Sequence, residues 1–219
     1  MARMIPNGYA TQISVVNAYE KLLGQYRFDE ISVGQICRSA GIARSTFYYH
    51  FKDKYDISQW HYNLIAEKYL FQTGRTLNWF QSNFLNTTAF AQHKTLYRWS
   101  FDMDGYQSLF SHAKRRRIET LRETIVEYKR QDIDEELEFQ IIALADAEVG
   151  GVTHWFKAGM PYDVQTLCRY LDDAVPRRLY KLLNTPSDDS FPLLLDTLLS
   201  ANSPGAVSDL LFDGKQAMQ

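Results

Sequence analysis

Apolar residues recur with helical spacing along most of the chain. The first clear stripe is Val15, Ala18, Tyr19 and Leu22, which predicts a helix over about residues 10–25. No stretch alternates apolar and polar residues between hairpin-type turns, as an exposed sheet would require. Prolines are also absent from residue 7 to residue 160. The pattern therefore predicts an all-α fold.

Local signals mark the next helices. Ser32 followed by Gln35 is a capping box, in which each side chain bonds to the other residue's backbone amide, so a short helix begins here. Gly41 is the glycine that commonly ends such a helix in the left-handed conformation. After a turn of three or four residues a third short helix is predicted over about 43–50, and a longer one begins at Asp53.

The second half of the chain predicts longer helices over about 105–130, 134–158 and 163–183, the last of them kinked at Pro176. The helix over 134–158 is apolar on several faces, which indicates burial in a core or against a partner chain. Gly150 and Gly151 in its interior cost roughly 1 kcal/mol each relative to alanine. Their missing side chains favour a close approach of another helix.

Composition and charge narrow the class of protein. The 219 residues are 45% apolar and 23% charged, which is ordinary for a globular protein and excludes collagen, extended disorder and a disulfide scaffold. The net charge is −2, but residues 1–60 carry +2 and the remainder −4, so the N-terminal part is the better partner for an anion. We expect three parts: 1–53, 54–184 and an acidic tail over 185–219.

Two observations concern the cellular environment. Cys37 and Cys168 lie far apart and outside any CxxC pair, so we expect two small core residues in a reducing compartment. The start of the chain does not resemble a signal peptide, and no apolar run approaches the roughly 20 residues of a membrane helix. We therefore expect a cytoplasmic protein that has no membrane contact.

The most informative segment runs from Ser32 to Asp56, where two short helices joined by a glycine-containing turn have the form of a helix-turn-helix. The second helix of this motif enters the DNA major groove. Arg44 has the forked donor group that recognises guanine, and Ser45 and Thr46 are short hydroxyls for a base edge or a phosphate. Further donors suited to the phosphate backbone are Tyr48, Tyr49, His50, Lys52 and Lys54. Phe47 and Phe51 have the spacing of core residues instead.

The stretch from Val15 to Ile57 resembles the N-terminal domain of TetR-type transcriptional regulators. The matching positions are Leu22-Leu23, Phe28, Ser32-Val33, Ile36, Ala40-Gly41-Ile42, Phe47-Tyr48, His50-Phe51 and Lys54. The resemblance implies an all-helical homodimer, with a three-helix DNA reader, a connecting fourth helix and a C-terminal domain for ligand binding and dimerisation. It also implies that Tyr48, His50 and Lys54 hold phosphate, while Arg44, Ser45, Thr46 and Tyr49 face the groove.

Two positions depart from that family pattern. Arg27 stands where relatives usually have a glycine, and Ala43 stands where they usually have a serine as the cap of the recognition helix. An alanine cap costs roughly 0.5–2 kcal/mol relative to serine. Neither departure removes the helix-turn-helix motif.

The C-terminal part carries weaker signals. Aromatic residues crowd positions 79–110, and ligand pockets are mostly apolar with a few polar anchors. The expected pocket for a small apolar or aromatic effector comprises Trp79, Phe80, Tyr97, Trp99, Phe110, Asp146 and His154. The segment Trp155–Met160, followed by Asp163, is similar to a subgroup whose last two helices form the dimer bundle. The expected interface comprises Val149, Gly150, Gly151, Trp155, Leu167 and Leu171.

Other chemistry finds little support in the sequence. The five histidines have no metal-binding spacing, and there is no GxSxG or glycine-rich phosphate loop, so we expect no metal, no cofactor and no enzyme. The basic run over 114–117 is interpreted as a solvated face, or otherwise as a contact to an anionic effector or to the acidic tail. Within that tail Phe191, Leu194, Leu195, Leu198 and Leu199 form an apolar stripe, which we expect to dock on its own chain or its partner subunit rather than on another protein.

These observations predict a sequence-specific, dimeric DNA-binding regulator, a repressor released from its operator by a small effector. The alternative is a regulator that has no small-molecule pocket and is controlled by a protein partner. The two differ in whether the aromatic residues of 79–155 enclose a cavity or fill the core.

Overall fold

The computed structural model describes residues 7–102 and 108–184. The described residues form ten α-helices, which confirms the all-α prediction. They are α1 (Asn7–Leu23), α2 (Val33–Ala40), α3 (Arg44–His50), α4 (Lys54–Lys68), α5 (Trp79–Gln92), α6 (Lys94–Asp102), α7 (Leu109–Glu123), α8 (Glu135–Lys157), α9 (Val164–Asp172) and α10 (Arg177–Leu183). Short 3₁₀ turns occupy Phe28–Glu30 and Leu70–Gln72, and one turn of π-helix, Thr124–Tyr128, follows α7.

The ends of the first four helices follow the sequence signals. The hydroxyl of Ser32 accepts the amide of Gln35, whose side chain accepts the amide of Ser32 in return. Gly41 has φ of 67°, a conformation that favours glycine. Ala43 caps α3 without any side-chain hydrogen bond, and the carboxylate of Asp53 accepts two amides at the start of α4.

Two hydrophobic clusters organise the described chain. The N-terminal cluster joins α1, α2, α3 and the first turn of α4, and α6 adds Leu96 and Trp99 to it. The second cluster begins at Tyr62 and extends through the remaining helices to Leu183. Helix α4 therefore contributes Ile57 to one cluster and Tyr62 to the other, and links them.

The later helices differ from their predicted extents. The single kinked helix expected over 163–183 is two separate helices, because α9 ends at Asp172 and Pro176 stands at the N-cap of α10. Helix α4 ends at Lys68 rather than near Gly74, which instead has φ of 75° and packs against Leu183. The expected start of a helix at 105 and the amphipathic stripe of 191–199 lie outside the described residues.

Three further features of the described part of the chain bear on function. None of its helices is both long enough and apolar enough to span a membrane. Cys37 and Cys168 are buried and unpaired, and burial raises the pKa of the Cys168 thiol to about 12. No group of three or more histidine, cysteine or acidic side chains is arranged there to hold a metal ion.

Candidate nucleic-acid interface and regulatory core

Helix α3 has one buried face and one exposed face. Phe47 is fully buried, as is Phe51 directly after the helix, and their rings pack 5.6 Å apart. On the opposite side 59% of Tyr48 and 84% of Tyr49 are exposed, next to the exposed side chains of Arg44 and Ser45. Thr46 is half-buried. Burial of the two phenylalanines thus leaves polar and aromatic groups on a single outward face.

Arg44 lies across the preceding helix. A Cβ atom on Gly34 of α2 would come within 2.6 Å of the Arg44 Nη2 atom. The glycine therefore makes room for the guanidinium, which stays exposed to solvent. The packing of α2 against α3 therefore positions the Arg44 guanidinium, the donor group that we expect to contact a base.

His50 lies at the C-terminal end of α3, and Lys52 lies just after it. The His50 ring lies edge-on to Tyr49, with ring centres 4.9 Å apart, and it approaches Gly8 at the start of α1. Lys52 has an exposed side chain, and its backbone amide donates to a carboxylate oxygen of Asp56. The N-terminal end of α1 therefore lies against the C-terminal end of α3.

Lys54 turns inward, in contrast to the phosphate contact that the resemblance implies. Its ammonium donates to the carbonyl oxygens of Phe28 at 2.6 Å and Ile31 at 2.8 Å, and it lies 4.0 Å from the centre of the Phe28 ring. Burial lowers the pKa of this lysine, although the charge of Asp29 opposes the effect. Lys54 thus ties the turn after α1 to the start of α4, which corrects its assignment as a side chain pointing at DNA.

The residues expected to form an effector pocket do not line one cavity. Trp79 and Tyr97 are completely buried and fill the core, whereas Phe80 is half-buried and stacks on Phe84. Trp99 packs against the N-terminal cluster. These positions correct the expectation of a single aromatic pocket, because large rings pack into the core where the sequence suggested an enclosed space.

The remaining expected pocket residues point elsewhere. Phe110 lies in a surface groove between α7 and α8. The Asp146 carboxylate pairs with the ammonium of Lys114 at 2.6 Å, and His154 is exposed on α8. Neither polar residue reaches the interior, which corrects their assignment as pocket anchors.

A buried ion pair occupies the centre of the second cluster. Arg117 Nε donates to Glu148 Oε2 at 2.6 Å, and its Nη2 donates to Oε1 at 2.8 Å. Trp79 Nε1 also donates to Glu148 at 2.7 Å, and Arg117 Nη1 donates to the hydroxyl of Thr73 and the carbonyl of Leu70. Each charge therefore has several hydrogen-bond partners, as a buried pair requires.

The basic run over 114–117 predicts a solvated face, and this prediction is wrong for Arg117, the last of its four residues. Its helical phase differs from that of its neighbours, so Arg117 is completely buried while Arg115 is exposed. The available signal was Glu148, an acidic residue among the apolar side chains of α8. A buried carboxylate of this kind indicates that a basic side chain packs against it.

The space left beside the ion pair is small. Residues of the helices α4 to α8 and of the 3₁₀ turn Leu70–Gln72 line a cavity of about 30 Å³, and Tyr62, Asn83 and Asn86 are among them. That volume is roughly what one water molecule occupies. Beside the ion pair, the side chains of the described second cluster therefore fill the core rather than enclose a ligand-sized pocket.

The expected dimer residues also divide into two sets. Val149, Trp155, Leu167 and Leu171 are buried within their own chain, which corrects their assignment to a surface between subunits. A Cβ atom on Gly151 would come within 2.7 Å of Leu171 Cδ2, so Gly151 allows α8 to approach α9 of the same chain.

Gly150 lies on the outer side of α8. A Cβ atom added there would have no neighbour within 4 Å. Large apolar side chains are also exposed on these helices, with 72% of Phe139 on α8 and 59% of Tyr170 on α9 accessible to solvent. The outward sides of α8 and α9 therefore leave apolar surface uncovered in the described chain.

Comparisons with known proteins agree with this geometry. Residues 16–59 match the family described as bacterial regulatory proteins, tetR family. No curated protein sequence matches the chain. The solved structures that it resembles include the dihydroxyacetone kinase operon activator DhaS, with a TM-score of 0.59, 18% identity, and coverage of 81% of this chain and 99% of that one.

Two further solved structures have the same fold. A TetR transcriptional regulator from Streptococcus agalactiae 2603V has a TM-score of 0.50 and 23% identity, with 78% of this chain and 96% of that one covered. The fatty acid degradation regulator FadR from Bacillus halodurans has a TM-score of 0.51 and 14% identity, with coverage of 83% and 97%. Residues 16–59 are therefore a TetR-family domain, and the described chain has the fold of the TetR-type DNA-binding transcription regulators.

Proposed function

We propose that the protein is a dimeric, sequence-specific DNA-binding repressor in which α3 reads the operator. The observation that carries the proposal is the division of α3 into a buried phenylalanine face and an exposed polar face. In the proposed complex Arg44, Ser45, Thr46 and Tyr49 contact base edges in the major groove. Tyr48, His50 and Lys52 contact phosphates. Lys54 supports binding indirectly, because it holds the start of α4 against the turn before α2.

The short length of α3 is the argument for a dimer. One α3 of seven residues reaches few base pairs, whereas a two-fold pair reaches two half-sites roughly 34–36 Å apart. We assign the contact between subunits to the outward face of α8 and α9, around Gly150, Phe139 and Tyr170. Residues 1–53 then form the reader and 54–184 the regulatory and dimerisation domain, with α4 joining them.

The mode of control has two candidates. In the first, a small effector releases the repressor from its operator. Such an effector must bind the arrangement that does not bind DNA more tightly than the one that does, since equal affinity for both shifts nothing. Because about 30 Å³ of interior cavity holds no metabolite, this candidate requires a site outside the described core. In the second candidate a protein partner controls the regulator, and the filled core favours it.

The test begins with the purified protein and a pool of random-sequence duplexes. Repeated selection for bound DNA is expected to enrich a two-fold symmetric sequence with half-sites about one helical turn apart, because symmetry of the site mirrors symmetry of the dimer. Affinity for the enriched duplex at physiological salt should exceed that for random DNA by roughly 10³-fold or more. Failure to enrich any sequence, with binding equal on all duplexes, would contradict the proposal.

A further inference from the structure

A cleft of about 660 Å³ opens between the DNA-reading domain and the regulatory domain. The end of α1 forms one side, at Leu23 and Gly24, and the first two turns of α6 form another. The third side is the end of α8 and the turn that follows it. Its volume falls within the roughly 300–1,000 Å³ of small-molecule sites, about twenty-fold above that of the interior cavity.

The walls of this interdomain cleft combine positive charge with an apolar surface. Lys94 and Arg98 on α6, with Lys157 at the end of α8, supply three cationic side chains, all of them exposed. None of the residues that line the cleft is acidic. Trp99 and Phe156 supply aromatic surface. This set of groups complements an anion that also carries an apolar or aromatic part.

The acidic side chain of Glu20, on the helix that forms one side of the cleft, is already engaged. Glu20 of α1 accepts the amide of Leu96 in the first turn of α6, and its other oxygen lies 2.7 Å from His93 Nδ1. These bonds hold α1 against the start of α6. The Glu20 carboxylate is therefore already bonded within the fold.

The cleft is also placed to act on the reading helix. Helix α1 has 17 residues and a length of about 25 Å, so it extends from the His50 end of α3 to the cleft. Trp99 joins the two sides, since it lines the cleft and packs against the N-terminal cluster. A ligand between α1 and α8 would change the tilt of α1, and with it the orientation of α3.

We propose that this interdomain cleft binds a small organic anion, a carboxylate or phosphate attached to an apolar or aromatic group. Arg98 and Lys157 hold the anionic group, and Trp99 contacts the apolar part. The effect on DNA binding rests on the proposed function above. The binding itself does not, and it can be tested without DNA.

The experiment uses the full chain and a matched pair of fluorescent probes. The anion 1-anilinonaphthalene-8-sulfonate stands in for the ligand, and the neutral N-phenyl-1-naphthylamine has the same ring system without the charge. We expect saturable binding of the anion at one site per chain, weakened at high salt. Arg98→Ala should weaken it at least ten-fold, and Arg98→Lys should restore part of the loss. Arg177→Ala, which removes an exposed arginine on the distant helix α10, is the control and should change nothing.

Displacement identifies the anionic group. Benzoate and phenyl phosphate are added separately to the probe complex, with benzyl alcohol as the uncharged control. Displacement by either anion but not by the alcohol supports the proposal, and the stronger competitor indicates the class. Equal binding of both probes, or equal affinity in the wild type and Arg98→Ala, overturns it.

A second variant tests the link to DNA. Thr95→Trp places a large ring in the cleft, so it should abolish probe binding and weaken binding to the selected operator at least five-fold. Arg177→Ala should leave operator affinity unchanged. If Arg98→Ala weakens every duplex alike while probe binding persists, the cleft is a phosphate contact and the proposal is wrong. If the wild type selects no operator, the proposed function fails while the probe result still stands.

Discussion

The proposed reader, residues 7–53, and the proposed regulatory domain, residues 54–184, differ in how their structure is specified. In the reader, helix ends and burial follow from residues a few positions apart, as in the Ser32–Gln35 capping box and the Phe47–Phe51 pair. In the regulatory domain the decisive contacts join distant positions, as Arg117 and Glu148 do across 31 residues. The first kind of contact is visible in a sequence pattern, whereas the second depends on which helix faces turn toward each other.

The largest expected effect concerns the long-range ion pair. Glu148→Ala leaves the Arg117 guanidinium buried without its partner, so we expect unfolding to become easier by roughly 3–5 kcal/mol. Denaturant titration measures it. The double variant Arg117→Met with Glu148→Leu removes both charges and should recover most of the loss. If Glu148→Ala costs less than about 1 kcal/mol, long-range polar pairing does not define this domain.

The two adjacent glycines of α8 should respond differently to the same change. In Gly151→Leu the new side chain meets Leu171, and we expect a loss of roughly 1–3 kcal/mol in stability from overpacking. In Gly150→Leu the added group meets open space within its own chain, so the stability of the single chain should rise by up to about 1 kcal/mol, because a glycine is removed from a helix interior. If the outward face of α8 forms the dimer, Gly150→Leu should shift sedimentation toward monomer. An intact dimer in that variant would contradict the assigned surface.

Buried histidines should make stability depend on pH. Burial, with a smaller contribution from His93, lowers the pKa of His61 to about 3, and burial together with Arg115 and Arg116 lowers that of His112 to about 4. Both pKa values lie below 6.5, the usual pKa of histidine in an unfolded chain. As the pH falls below about 6.5, the unfolded state therefore binds more protons than the folded state, and the folded state loses stability. His61, which is more deeply buried, should remove about 2 kcal/mol of stability between pH 7 and pH 5, and His112 should remove less.

The measurement compares unfolding free energies at pH 7 and pH 5 in the wild type and in His61→Gln. The variant should show a smaller loss on acidification than the wild type, whatever its stability at pH 7. An equal loss in both proteins would show that His61 is accessible to protons in the folded state.

The smallest effect concerns a local signal in the reader. Because Ala43 caps α3 without a side-chain bond, Ala43→Ser should add roughly 0.5–2 kcal/mol of stability. Ala43→Val is the control, since valine offers no acceptor and should bring no gain. Thermal unfolding distinguishes the two, and an equal melting temperature for both variants would argue against the cap.

Sequence reasoning succeeded where it depended on short spacing. It identified the helix-turn-helix, its caps and the division of α3, all of which arise within a few turns of chain. It misjudged Lys54, because the carbonyl oxygens of Phe28 and Ile31 that hold it belong to a turn more than 20 residues earlier. It also placed Trp79 and Tyr97 in a pocket, since composition shows that aromatic rings are present but not whether they pack against one another.

The central claim is that α3 reads DNA through its exposed polar face, and Arg44 tests it most directly. Affinities of the wild type, Arg44→Ala and Lys52→Ala are compared on the selected operator and on random duplex over a range of salt. Arg44→Ala should lose roughly 1–3 kcal/mol on the operator alone, with relaxed preference at one base pair. Lys52→Ala should weaken all duplexes alike and lower the salt slope by about 1. An equal loss on operator and random DNA for Arg44→Ala would contradict the assignment of α3 as the reading helix.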